Sequence, residues 1–131
     1  MTARDAAINA RATGARYEDI ALAHLERSGL VLVERNFNCR HGEIDLVMRD
    51  GSTLIFVEVR YRRGTAGSAD FGDGIDSVSA TKRAKLVRAA AVFLAAHPRL
   101  ANHACRFDVL AIAGDATAPA IDWRPNAFDA C

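Results

Sequence analysis

Two acidic residues, Asp45 and Glu58, lie inside strongly apolar sequence. Carboxylates in such segments are rare unless they have a partner. They lie in the segment 42–60, GEIDLVMRDGSTLIFVEVR, whose two apolar runs flank the dipeptide Asp50-Gly51. An Asp-Gly pair between apolar runs is typical of a tight hairpin turn. The segment therefore predicts two antiparallel strands with one acid on each.

The predicted register brings the two acids together. With Asp50 and Gly51 as the turn residues, Asp45 lies opposite Phe56, and Asp45 and Glu58 become diagonal neighbours, roughly 7–8 Å apart at the backbone. Because side chains alternate between the faces of a strand, one face carries Glu43, Asp45, Phe56, Glu58 and Arg60. Two ionised carboxylates so placed repel each other unless a cation neutralises them, a basic side chain bridges them, or one is protonated. A divalent metal ion with oxygen ligands suits the pair.

An acid on one strand followed by Glu-X-Lys on the next is the PD-(D/E)XK motif of restriction-endonuclease-like nucleases, which this hairpin resembles. More closely, Gly42-Glu43-Ile44-Asp45-Leu46 with Phe56-Val57-Glu58-Val59-Arg60 resembles the GEIDL…FVEVK signature of the YraN family, small bacterial proteins similar in fold to Holliday-junction resolvases. The resemblance covers roughly residues 14–113 and includes Glu18, Ala21, Arg35-Asn36, Lys82 and Arg106-Phe107-Asp108-Val109. In this chain Arg60 stands where the family has lysine.

The resemblance implies a metal-dependent DNA endonuclease that acts on branched or structured DNA. Mg²⁺ or Mn²⁺ would be held by Asp45, Glu58 and the backbone carbonyl of Val59, with Glu18 from the first helix as an added acid. Arg60 would face the negative charge that grows on phosphorus. Arginine supplies that charge, but it stays protonated, so a base role is excluded. The predicted catalytic set is Asp45, Glu58, Arg60 and Glu18.

Two other classes of function stay open at this stage. In the first, the protein is a nucleic-acid-binding module without cleavage, because Arg60 bridges Glu58 or Asp45 and takes the place of the metal ion. In the second, it is an interaction domain that uses a sheet edge or the long helix to bind a protein partner. Glu18 has an alternative as well, since it could lie at the edge of the helix's apolar stripe and pair with an arginine.

The net charge of +1 neither supports nor excludes an anionic partner, but the distribution of the basic residues favours one. Seven basic residues fall within 29 positions: Arg60, Arg62, Arg63, Lys82, Arg83, Lys85 and Arg88. A positive rim beside an acidic centre is what an enzyme of phosphodiester chemistry needs, although a solvated face has the same composition. We expect Arg62, Arg63, Lys82 and Lys85 to contact DNA, and the glycine-rich loop GTAGSADFGDG to form a flap over it.

Length and composition bound the class of protein. A chain of 131 residues, half of them hydrophobic, predicts a single domain over residues 14–123, with a flexible lead-in at 1–13 and a tail at 124–131. The three cysteines show neither zinc-ligand nor disulfide spacing. No signal-peptide core and no run of about 20 apolar residues occurs, so we expect a cytoplasmic protein without a membrane partner. The oligomeric state stays open, a homodimer included.

Periodicity predicts the elements around the hairpin. A helix is expected over residues 14–28, ended by Gly29, and then a strand from Leu30 with a bulge near Glu34-Arg35-Asn36. A second helix, capped by Ser77 or Ser79, ends before Pro98 and leads to a strand over 105–113, which a helical crossover makes parallel to its partner. Arg106 and Asp108 are expected to form an ion pair, and 120–123 a short edge strand at best. The predicted fold is α/β, a restriction-endonuclease-like mixed β-sheet with helices on both faces.

Overall fold

Five strands form one mixed sheet in the computed structural model, which describes residues 16–62, 79–114 and 117–128. In chain order the elements are α1 (16–27), β1 (Val31–Cys39), β2 (Gly42–Asp50), β3 (Thr53–Arg62), α2 (Ala80–Ala96), a 3-10 turn (Pro98–Leu100), β4 (Ala104–Ala113) and β5 (Ala120–Phe128). The strand order is β1-β2-β3-β4-β5, and only β3 and β4 are parallel. The predicted α/β fold with a mixed sheet is confirmed.

Helix α2 is the crossover between the two parallel strands, as predicted. Its cap is Ser79, whose hydroxyl accepts a hydrogen bond from the backbone N–H of Lys82 at 3.1 Å. The chain leaves the helix at His97, before Pro98, because proline cannot continue the hydrogen-bond ladder. From the second turn onward the apolar face of the helix packs on the sheet and buries Leu86, Ala89, Ala90 and Phe93.

A separate hydrophobic core lies on each face of the sheet, and β3 contributes to both. Leu54 and Phe56 pack on the α2 side, while Ile55 and Val57 pack on the α1 side. All four are at most 2% exposed. This arrangement explains why residues 54–57 are all apolar instead of alternating with polar ones. Each buried side chain of this size is worth about 1.5–3 kcal/mol.

The turn between β2 and β3 lies one residue later than predicted. Asp50 pairs with Thr53, so Gly51 and Ser52 form the turn, and Gly51 has a φ of 60°. A single positive φ at the first turn position is the pattern of a type II′ turn, which places glycine there, whereas Asp-Gly at the two turn positions is typical of type I′. The last pair of the ladder is Leu46 with Val57.

The new register changes which residues face each other. Beyond the last pair, the same register brings Asp45 to Glu58, and the predicted pairing of Asp45 with Phe56 is wrong. The change moves the pairing by two positions, so it does not exchange the faces of the hairpin. Continued beyond Leu46 and Val57, this register would place the two acids opposite each other across the strands instead of diagonal.

Both edge strands are irregular. In β1 the pairing shifts between Leu32 and Glu34, and Asn36 has a φ of 52°, close to the predicted bulge. In β5 the strand continues to Phe128, so the expectation that it ends by Trp123 is wrong. Pro125 is tolerated because an edge strand does not need every N–H for pairing, and Phe128 is buried in a stack with Phe107 at 5.0 Å between ring centroids.

Several predicted segments lie outside the described residues, namely the lead-in at 1–13, the glycine-rich loop with Arg63, and the last residues of the chain. For Arg62 the structure describes the strand but not the side chain. Of the helices in the described ranges, none is long and apolar enough to cross a membrane.

Candidate active site

Strand β2 departs from regular geometry at Asp45. Residues two apart on a strand normally share a face, yet Ile44 packs in the α2-side core and Leu46 in the α1-side core. Beyond the last backbone pair, the Asp45 carboxylate accepts a hydrogen bond from the N–H of Val59 through Oδ2 at 2.8 Å. Since ladder N–H groups point along the plane of the sheet, this carboxylate lies near that plane, in a gap between β2 and β3.

The backbone of Val59 faces the same gap. The N–H and C=O of one strand residue point to the same side of the strand, so the Val59 carbonyl is directed toward β2, like the N–H that binds Asp45. The predicted use of this carbonyl as a metal ligand is compatible with that direction. Two carboxylates and one carbonyl give an all-oxygen donor set, the type that Mg²⁺ and Mn²⁺ prefer.

Four carboxylates interact electrostatically around the gap: Glu18, Glu43, Asp45 and Glu58. Burial, and after it the charge of Glu58, raises the pKa of Asp45 from 3.8 to about 7, although the hydrogen bond from Val59 lowers it. Burial also raises the pKa of Glu58, against the charges of Lys82 and Arg60. Burial is the largest cause of both shifts, so it is the charged forms of these acids that are destabilised, and a divalent cation placed between them would stabilise those forms.

The closest cation to Glu58 is Lys82, which comes from the first turn of α2. Its Nζ lies 3.5 Å from Oε1 of Glu58, a residue that is only 9% exposed. Within the described chain, Arg60 forms no ion pair at 4 Å or less. The charges of Lys82 and Arg60 both lower the pKa of Glu58, and the effect of Lys82 is the larger. The alternative in which Arg60 forms a salt bridge with Glu58 or Asp45 is therefore wrong; the side chain that pairs with Glu58 is Lys82.

An open cleft of about 420 Å³ leads to this pair. The described residues that line it are Glu58, Val59, Arg60, Tyr61, Ser79 and Lys82. The lining is mainly polar and combines one acid with two basic side chains. A cleft of this composition suits a charged phosphate group better than an apolar ligand.

Glu18 reaches the cluster from the opposite layer. Its Oε1 lies 3.6 Å from the Arg35 guanidinium, and the Asn36 amide, oriented to satisfy its hydrogen bonds, donates to Glu18 at 2.9 Å and to Glu43 at 3.0 Å. The charge of Glu18 also raises the pKa of Asp45. Glu18 thus pairs with an arginine, as its alternative expected, and its charge also acts on Asp45. Its role as an added acid at a metal site stays a prediction.

Asn36 is the residue that sequence reasoning missed. It joins the acids of α1 and β2 from a left-handed conformation with a φ of 52°, a conformation that asparagine adopts more readily than most residues. The Arg35-Asn36 pair at a predicted bulge was the available signal. A polar residue at such a bend can direct its side chain toward a site instead of solvent.

The remaining candidates lie apart from the acids. Lys85 is exposed and packs over the turn at Gly42, with its Cβ 3.9 Å from where a Cβ on that glycine would lie. Asp108, on β4, is fully buried and accepts hydrogen bonds from Arg106, from Trp123 at 2.9 Å and from the N–H of Asn126 at 2.9 Å. It is thus a structural anchor between β4 and β5. Among the residues that the structure describes, no three His, Cys, Asp or Glu side chains converge as a metal site, so the pair and the carbonyl are the donor set to test.

Comparison with known proteins gives a consistent family. The sequence profile described as "Uncharacterised protein family UPF0102" matches residues 17–112. The chain is 51% identical to a UPF0102 protein of Stutzerimonas stutzeri (strain A1501), over 91% of this chain and 96% of that one. It is 55% identical to the UPF0102 protein xcc-b100_3645 of Xanthomonas campestris pv. campestris (strain B100), over 88% and 89%. It is 43% identical to a UPF0102 protein of Pseudomonas aeruginosa (strain LESB58), over 99% and 100%.

Proposed function

This chain belongs to the UPF0102 family, and we propose that it is a metal-dependent endonuclease that hydrolyses phosphodiester bonds in branched or structured DNA. The observation that carries the proposal is the opposition of Asp45 and Glu58 across the gap between β2 and β3. Two partly buried acids there, with raised pKa values and a carbonyl beside them, form a site whose repulsion a divalent cation relieves.

The proposed reaction is the attack of a water oxygen on phosphorus, with cleavage of the bond to the leaving sugar oxygen. The water loses a proton to solvent and the leaving oxygen gains one, so the products are a phosphate monoester and an alcohol. A bound Mg²⁺ or Mn²⁺ supplies a water of lowered pKa and polarises the phosphate. Asp45, Glu58 and the Val59 carbonyl would hold the ion, and Glu18 adds negative charge behind it.

The protein contributes position and charge to this reaction. The Val59 N–H holds the Asp45 carboxylate in the plane of the sheet, so that it does not need to reorganise when a cation binds. Arg60 and Lys82 line the cleft where a phosphate would enter and offset its charge. Helix α2 carries three further exposed basic residues, Arg83, Lys85 and Arg88, which add positive charge near the cleft without lining it.

The test is cleavage of labelled four-way junction, flap and linear duplex DNA in Mg²⁺ or Mn²⁺. We expect the branched substrates to be cut faster than the linear one. Asp45→Asn and Glu58→Gln should each lower the rate by about 100-fold or more, because each removes a ligand charge. Glu26→Gln, an exposed position on α1, is the matched control for purification and folding. Equal cleavage by the control and both site variants would reject the proposal.

A second candidate, a DNA-binding module without cleavage, is favoured by the ion pair between Lys82 and Glu58. A lysine that neutralises one of the two acids reduces the need for a metal ion. This candidate expects DNA affinity that falls steeply with salt and is the same with chelator as with Mg²⁺. Metal-dependent cleavage that disappears in Asp45→Asn would eliminate it.

A further inference from the structure

Resting on the proposed function, we propose that Lys82, and not Arg60, is the catalytic residue that contacts the scissile phosphate. The residue is on helix α2, 22 positions after Arg60 in the sequence. In this assignment Lys82 does more than bind the DNA backbone, because its ammonium group lies at the acid that would hold the metal ion.

The position of Lys82 is fixed by the fold. Its backbone N–H donates to the hydroxyl of the cap residue Ser79, and the helix is anchored one turn later by the buried Leu86. The side chain extends from this turn into the cleft, where Nζ lies 3.5 Å from Glu58. It is 44% exposed, so a ligand in the cleft can reach it while the carboxylate orients it.

Arg60 is less well placed, although it occupies the sequence position of the motif lysine. It lines the same cleft, but within the described ranges it has no acidic partner at ion-pair distance. Arginine also carries a broad planar group, whereas the ammonium of lysine is a compact charge with three donors that fits beside a hydrated ion. Lys82 therefore supplies a compact positive charge beside Glu58, which Arg60 does not.

The role follows from the charge that develops in the reaction. As the water oxygen bonds to phosphorus and the bond to the leaving oxygen breaks, negative charge is spread over the non-bridging oxygens. The Lys82 ammonium donates a hydrogen bond to one of these oxygens and keeps its proton throughout. A donor that acts on the transition state is expected to change the rate at saturating DNA more than it changes DNA affinity.

Lys82→Met tests this assignment, with Arg99→Met as the matched control, an exposed basic residue just beyond the end of α2. Single-turnover cleavage at saturating branched DNA and the Kd for DNA are both measured, and thermal unfolding verifies the fold. We expect Lys82→Met to lower the rate by about 100-fold while the Kd rises by less than about 3-fold. Arg60→Met should lower the rate by less than about 10-fold, and Lys82→Arg should retain more activity than Lys82→Met.

Each outcome decides between the two proposals. If Lys82→Met changes the Kd but not the rate at saturation, or if Arg60→Met causes the larger loss, the assignment of Lys82 is overturned while the nuclease proposal stands. If the unmodified protein does not cleave any of the DNA substrates with either metal, the nuclease proposal and the assignment of Lys82 fail together.

Discussion

The Asp45 carboxylate accepts a hydrogen bond from the Val59 N–H at 2.8 Å. In a regular ladder, the N–H of a β3 residue would bond to a backbone carbonyl of β2, so here a side chain takes the place of that carbonyl. This contact holds an acid in the plane of the sheet, between the two packed layers. Glu18 approaches it from the α1 layer, and Lys82 reaches the neighbouring Glu58 from the α2 layer. The irregularity in β2 is what allows both helices to act on one site.

Asp45 should make the stability of the protein depend on pH. Its pKa is raised from 3.8 to about 7, so the folded protein binds a proton that the unfolded chain has lost in this interval, and stability falls as pH rises from about 4 to 7. Asp45→Asn keeps an acceptor for Val59 but carries no charge. We expect it to be more stable than the unmodified protein at pH 8, by on the order of 2 kcal/mol, with little difference at pH 4.

Urea unfolding at pH 4, 6 and 8 without metal measures this effect. Asp50→Asn is the matched control, because Asp50 is an exposed acid on the same strand. A constant difference between Asp45→Asn and the unmodified protein at all three pH values would show that Asp45 is not protonated in the folded state near neutral pH.

Glu18 should strengthen metal binding without being essential to it. Its charge acts on Asp45 from the other layer, while Arg35 and Asn36 hold its side chain. Glu18→Gln is expected to weaken Mn²⁺ binding by about 10-fold, since groups outside the ligand set typically change affinity by that order. Calorimetry against Glu26→Gln makes the measurement, and an unchanged Kd would remove Glu18 from the site.

Asp108 should matter for stability and not for the proposed chemistry. It is buried, and its partners Arg106, Trp123 and Asn126 all lose an acceptor in Asp108→Ala. We expect a loss of about 3 kcal/mol in the free energy of unfolding. Asp122→Ala, which removes the exposed pair with Arg124, should cost less than about 1 kcal/mol. Metal affinity that falls in folded Asp108→Ala would contradict the structural assignment.

The sequence predicts which elements form the sheet and the helix layers of this fold, but not the exact register in which the strands pair. The unbroken apolar run of β3 and the 3.6-residue period of α2 identify a strand covered on both sides and its crossover helix. The sequence predicts a hairpin but not the exact position of its turn, because the choice between Asp50-Gly51 and Gly51-Ser52 depends on the φ of a single residue. The sequence does not predict the second half of β5, because Pro125 and its polar neighbours weaken the strand pattern. The burial of Phe128 against Phe107 is a tertiary contact, which no local pattern encodes.

The sequence predicts the two acidic residues of the candidate site but not the basic residue that pairs with them. Period-two alternation predicts that Asp45 and Glu58 are neighbours in either register, so their proximity does not depend on the exact turn. The structure differs in the direction of Asp45, because β2 is irregular there and the carboxylate lies near the plane of the sheet. The partner of Glu58 could not be read from the hairpin, because Lys82 is 24 residues away and arrives only when α2 packs on the sheet. Asn36 joins two acids through a backbone bend whose geometry no periodicity encodes.

Isothermal titration with Mn²⁺ at pH 8, with competition by Mg²⁺, tests the central claim that Asp45 and Glu58 hold one divalent cation. We predict a single site in the unmodified protein, which Asp45→Asn and Glu58→Gln abolish and Glu26→Gln leaves intact. Because the pKa of Asp45 is about 7, binding displaces a proton at lower pH, and the affinity at pH 6 should be about 10-fold weaker than at pH 8. Absence of binding, or equal binding by Asp45→Asn, would contradict the account.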